Sequence, residues 1–180
     1  MGYTHYWRQL RDFTDTEWQE LTRLAKLITA DGQGILAKEY DERNSKPTID
    51  SEHIRFNGIG EDGHEPFLIT KKKRAKREYE EQEAYDKEGA FDFCKTAHKP
   101  YDKYVVAVLC ALYNLSNVPP QRNRNAHPMR KITSDGNTAD WTEGLFHAVR
   151  STRREEMYCP IRDCLTLSYV DYVDQEKKTG

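Results

Sequence analysis

The 180-residue chain has 37% hydrophobic and 32% charged residues and a formal net charge of −2, which suits one small core with long solvated excursions. A near-neutral balance excludes the global basic field that gathers nucleic acid or anionic lipid, and no segment approaches the roughly 20 apolar residues of a membrane span. The opening Met1-Gly2-Tyr3-Thr4-His5-Tyr6-Trp7 lacks the apolar run of a secretory signal, and Tyr6 stands where a myristoylation signal needs Ser or Thr.

These features predict a soluble, cytoplasmic, single domain over 1–180, without membrane contact. Nucleic acid is disfavoured as a partner and homo-oligomerisation is left open. Cys94, Cys110, Cys159 and Cys164 show no CxxC pair. Cys159 and Cys164 would offer zinc two thiolates, but no second ligand pair follows, so reduced, partly buried thiols are expected, with no metal or other cofactor.

In chain order, Tyr3 to Leu10 is aromatic and β-branched and predicts a strand, with Tyr3, His5 and Trp7 on one face and Thr4 and Tyr6 on the other. Thr14-Asp15-Thr16-Glu17 is a capping box that opens a helix. Trp18, Leu21, Leu24, Ala25, Leu27 and Ile28 form its apolar stripe, and Asp31-Gly32 supplies a left-handed exit. Residues 35–50 read as a loop. Ile54–Asn57 and Phe67–Thr70 flank a turn and predict a wide hairpin.

Residues 71–88 open with Lys71-Lys72-Lys73-Arg74 and continue with alternating charge, a solvated helix or mobile loop inserted into the domain. Lys103 to Leu115 is apolar nearly all round and predicts a buried helix, with Pro100 in its first turn. A loop over 117–127 leads to a strand over Met129–Thr133 that stops at Ser134-Asp135-Gly136. Asp140-Trp141-Thr142-Glu143 reads as a second capping box, opening an amphipathic helix. Leu165–Val173 reads as a strand inside a C-terminal extension over 154–180. The expected fold class is α+β: a small, mainly antiparallel sheet covered by helices near 14–31, 100–115 and 140–153.

Chemically capable side chains concentrate in Lys95-Thr96-Ala97-His98-Lys99-Pro100-Tyr101-Asp102, just before the buried helix. A helix start carries unpaired amides and a partial positive charge, so Lys95, Lys99 and the Thr96 hydroxyl there suit an anion. The plainer reading is a helix cap by Thr96 or Asp102 with Tyr101 packed on the core. His64 and Glu65 follow a Gly-rich turn, and His64 or His5 is the candidate acid or base if the chain is an enzyme. The Gly58-x-Gly60-x-x-Gly63 spacing imitates a dinucleotide fingerprint, but no helix pattern opens after it.

The opening heptapeptide, Phe56-Asn57-Gly58 with Gly63-His64-Glu65, the run Phe91 to Asp102, and Ser134-Asp135-Gly136 together resemble an uncharacterised family of small proteins from tailed bacteriophages and some bacteria. The family commonly carries Arg where His98 stands. The resemblance implies a phage accessory product in the host cytoplasm that counters host defence by binding a nucleotide signal or a host protein.

The functional expectation is a binding module for a small phosphorylated, nucleotide-like ligand. Lys95, Thr96 and Lys99 hold the phosphate, Tyr3, Tyr6, Trp7 or Tyr101 stack on the base, and His5 and His64 donate hydrogen bonds, with Glu65, Asp102, Ser134 and Asp135 beside them. The alternatives are a metal-independent phosphodiesterase or related enzyme acting on the same ligand class, and a module that grips a host protein through its aromatic terminus or residues 71–88.

Overall fold

The structure is a computed structural model that describes residues 2–115, 127–154, 156–161 and 166–167. All of the expected loop over 117–127 except His127, most of the expected strand over 165–173, and Cys164 lie outside the described residues. The fold is α+β. Strand β1 (Thr4–Gln9) lies between β6 (Ala90–Lys95) and β7 (Met129–Ser134), antiparallel to both. A second sheet is built on β4 (His53–Gly58), which pairs antiparallel with β5 (Phe67–Thr70) and with the two-residue strands β2 (Leu36–Ala37) and β3 (Thr48–Ile49). Helices α1 (Asp15–Thr29), α3 (Asp102–Tyr113) and α4 (Thr138–Thr152) cover the sheets, α2 (Gln82–Glu88) lies ahead of β6, and β8 (Met157–Tyr158) pairs with β9 (Thr166–Leu167).

One expected sheet is thus two. Both edges of β1 are occupied, by β6 and β7, so the hairpin satisfies its backbone groups with itself and with short pieces of the 35–50 segment. The sheets still share a core, where the Trp7 and Phe67 rings stand 5.4 Å apart.

Local chemistry explains the helices. The Glu17 amide donates to the Thr14 hydroxyl at 3.2 Å and the Thr14 amide to the Glu17 carboxylate at 2.8 Å, closing the expected capping box of α1. Trp18, Leu21, Leu24, Ala25 and Ile28 are buried, whereas Leu27 is exposed. The left-handed residue after α1 is Gly34, at φ 82°, and not Gly32. Gly32 is needed for another reason: a Cβ there would meet Leu36 Cδ1 at 2.5 Å.

The second capping box also moves. Its pair is Asn137 and Asp140: the Asn137 amide donates to the Asp140 carboxylate and the Ala139 amide to the Asn137 side chain, each at 2.8 Å. Helix α4 therefore starts one turn before Trp141, whose ring is fully buried. In α3 every residue from Tyr104 to Tyr113 is buried; each large side chain among them stabilises the fold by about 1.5–3 kcal/mol. Among the described residues no helix is long and apolar enough to cross a membrane. Cys94, Cys110 and Cys159 are buried, and burial pushes the Cys94 and Cys110 thiols up from their ordinary range.

The charged segment 71–88 is docked and not solvated throughout. Glu80 accepts both Arg74 guanidinium nitrogens, at 2.6 and 3.0 Å, and the Arg77 and Phe91 amides, at 2.8 and 2.9 Å. Gly89 then turns the chain into β6 at φ 94°, and a Cβ there would meet the Gln9 carbonyl oxygen at 2.2 Å. Gly89→Ala is expected to destabilise the fold by about 1–3 kcal/mol, read as a lower urea midpoint at unchanged slope. An unchanged midpoint would show that the turn relaxes freely.

Candidate functional site

The segment ahead of α3 is tied back onto the first strand. The Thr96 and Ala97 amides both donate to the Tyr3 carbonyl, at 3.0 and 3.1 Å, and the Asp102 amide donates to the Lys99 carbonyl at 2.8 Å. Closing this bend puts Ala97 and His98 in the left-handed region, at φ 51° and 56°, a conformation that costs about 1–3 kcal/mol per non-glycine residue. The His98 ring stacks on Tyr3 with 3.7 Å between centroids.

Asp102 is the hub. His5 Nε2 lies 2.8 Å from Asp102 Oδ1, and the Thr96 hydroxyl donates to the same oxygen. His5 and Thr96 are both fully buried. The positive end of α3 is therefore already matched by the chain's own carboxylate, which repels a phosphate from the place where the sequence suggested one. The ammonium groups do not converge there either. Lys99 Nζ donates to the Glu61 carbonyl at 2.7 Å, and the Lys95 stem lies against Gly2.

Three of the expected stacking rings, Tyr3, Trp7 and Tyr101, are buried. Trp7 is buried against Phe67. Tyr101 is fully buried, and its hydroxyl donates to the Glu65 carbonyl at 2.7 Å; burial pushes that hydroxyl far above its ordinary pKa. Glu65 itself joins the two sheets: its carboxylate accepts the Lys95 amide at 2.8 Å and its carbonyl accepts Cys94 Sγ at 3.3 Å. Its role is structural. His64 is exposed, held only through its backbone to the Asn57 side chain, and its ring has no partner among the described residues.

What the fold brings together is Tyr3, His5, Thr96, His98 and Asp102, with Trp141. The Tyr3 and Trp141 rings meet His5 edge on, at 4.9 and 5.2 Å. The Tyr3 hydroxyl, His5 Nδ1 and Trp141 Nε1 are buried without a hydrogen-bond partner among the described residues. Ser134 stands opposite His5 in the sheet, and its hydroxyl accepts the Gly136 amide at 3.0 Å. A cleft of about 280 Å³ borders this group through His98, Lys99, Asp102, Lys103, Asp140 and Glu143. Its charges are mixed.

The outward face of the β6-β1-β7 sheet is different. Antiparallel register sets Tyr6 opposite Phe93 and Thr133, and Arg8 opposite Phe91 and Lys131. Tyr6 and Phe91 stack at 6.0 Å, Phe91 and Phe93 stand 6.1 Å apart, and the Arg8 guanidinium lies 5.1 Å from the Phe91 ring centre. Phe93 is 44% exposed, an unusual cost for a phenylalanine. Lys95 and Lys131 stand on the same face and have no ion pair among the described residues, while Arg8 pairs with Glu88 at 3.2 Å. Asp135 closes one end: it accepts the Tyr6 hydroxyl at 3.1 Å and the Thr4 amide at 3.1 Å.

Of the expected ligand-binding residues, then, Tyr6, Lys95 and Asp135 share this open face. Arg8, Phe91, Phe93 and Lys131 were missed, although Phe91-Asp92-Phe93-Cys94 carries the period-2 signal of a strand with one aromatic face. No family model, curated protein or solved structure matches the chain.

Proposed function

We propose that the chain is a binding module for a nucleotide-like ligand, held on the open face of the β6-β1-β7 sheet. The observation that carries this reading is the outward row of half-buried Tyr6 and Phe91 and exposed Phe93 beside Arg8, Lys95 and Lys131. Bases stack on such rings with about 1–3 kcal/mol each, and nearby cations meet the phosphate. Asp135 offers an acceptor for a base amine or a ribose hydroxyl. In the role that the phage resemblance implies, such a face would sequester a nucleotide signal of the host.

The test is calorimetry with adenosine monophosphate, a cyclic dinucleotide and ribose 5-phosphate. A nucleotide should bind at least about tenfold more tightly than the base-free sugar, and Tyr6→Ala with Phe93→Ala should remove about tenfold or more of that affinity. Equal binding of ribose 5-phosphate, or no effect of the double substitution, defeats the stacking reading. The enzymatic reading has one observation in its favour, the His5 and Asp102 contact at 2.8 Å, against the full burial of His5. Product analysis after incubation with the cyclic dinucleotide separates it: intact ligand favours the binder.

A further inference from the structure

A second feature lies away from the residues that the proposed stacking face uses. Where α1 ends, the turn Gly32-Gln33-Gly34 and the loop over 43–49 enclose a cleft of about 570 Å³, within the size range of small-molecule sites. Its floor is apolar, from Leu36, Ile49 and Ile59, and its ionisable lining is Lys26, Arg43 and Lys46. No carboxylate lines it, in a chain whose net charge is −2.

Two nearby acids are engaged elsewhere. Asp31 pairs with Arg150 at 3.1 Å and Glu39 with Arg55. The side chains of Lys26, Arg43 and Lys46, in contrast, have no ion pair or hydrogen bond among the described residues. The Arg43 guanidinium sits over Gly60, its nearest nitrogen 3.4 Å from where a Cβ would be, so the cation is packed against backbone at the cleft wall. The left-handed Gly34 holds the turn open, and the Gln33 and Gly34 amides have no acceptor among the described residues. Unspent amides and unpaired cations around one concavity are what a multiply charged oxyanion needs.

We infer that this cleft is a binding site for a compact polyanion of the phosphate class, either pyrophosphate or the polyphosphate group of a phosphorylated small molecule. Arg43 is its bidentate donor, Lys26 and Lys46 add point charges, and the apolar floor accommodates whatever the phosphates carry.

The experiment is a titration of the full chain with sodium pyrophosphate at low ionic strength, followed by amide chemical shifts. Saturable shifts confined to residues 26–36, 43–49 and 59–60, weakened about tenfold by Arg43→Ala and unchanged by Lys72→Ala, are expected. Lys72 is an exposed cation outside the cleft. Shifts that do not saturate, or an equal loss from Lys72→Ala, would reduce the effect to diffuse charge and overturn the site. The Tyr6→Ala, Phe93→Ala double variant should bind pyrophosphate normally; if it does not, the phosphate site is the sheet face and this inference fails while the stacking reading stands.

Discussion

Asp102→Ala is expected to cost about 3–5 kcal/mol of stability, more than any other substitution considered for this chain. The carboxylate is the acceptor for two fully buried groups, His5 Nε2 and the Thr96 hydroxyl. Removing it leaves His5 with neither ring nitrogen bonded, since Nδ1 has no partner already. Each orphaned buried group costs about 1–3 kcal/mol, and losing the acid from the first turn of α3 adds about 0.3–1 kcal/mol. Asp102→Asn keeps an acceptor oxygen and should lose less than half as much. Thermal unfolding reads the difference as a drop of about 8–15 °C for the alanine variant. A loss under 1 kcal/mol would mean that water replaces the carboxylate and that the pair does not brace the fold.

Glu80 carries the largest expected dependence on pH. Its hydrogen bonds from Arg74 come first, and with the Arg77 and Phe91 amides they hold its carboxyl down to about 2 from the ordinary 4.5. The unfolded chain binds this proton more readily than the folded one. The resulting stabilisation is therefore complete above about pH 4.5 and is lost as pH falls through about 2, with a magnitude of about 2–3 kcal/mol. Glu80→Gln should lower stability by about that amount at pH 7, and the gap from the native chain should shrink at pH 3. Urea unfolding at both values checks this, and an identical gap at pH 7 and pH 3 would refute the ionic account. Because Glu80 also accepts the Phe91 amide, the same substitution should loosen β6 and weaken nucleotide binding on the sheet face.

Residues that act on near neighbours were legible in the linear chain. Thr14 and Glu17 are three residues apart and their reciprocal hydrogen bonds need only a helical turn, so the start of α1 could be read directly. The all-round apolar run before Leu115 likewise announced the buried α3, because a helix without a polar side has no place at a surface. The hairpin of β4 and β5 followed from two β-rich runs around a glycine-rich turn. Errors of detail came where neighbours compete: Asn137 outbid Asp140 as the cap of α4 because it stood one turn earlier with its own acidic partner.

Tertiary structure alone decided the rest. His5 meets Asp102 across 97 residues, and nothing in the composition of either segment selects that partner. Whether a lysine near a helix start faces a ligand or a carbonyl depended on the turn around Glu61, which captured Lys99. Tyr3 and Trp7 share a strand face whose burial was set by the helices that cover it, while Tyr6, Phe91 and Phe93 were left outward by the register of β1 with β6. The physical division is one of range. Propensity, capping and periodicity are paid within a few residues and belong to the sequence, whereas strand partnership, burial and the convergence of charges depend on which distant surfaces meet.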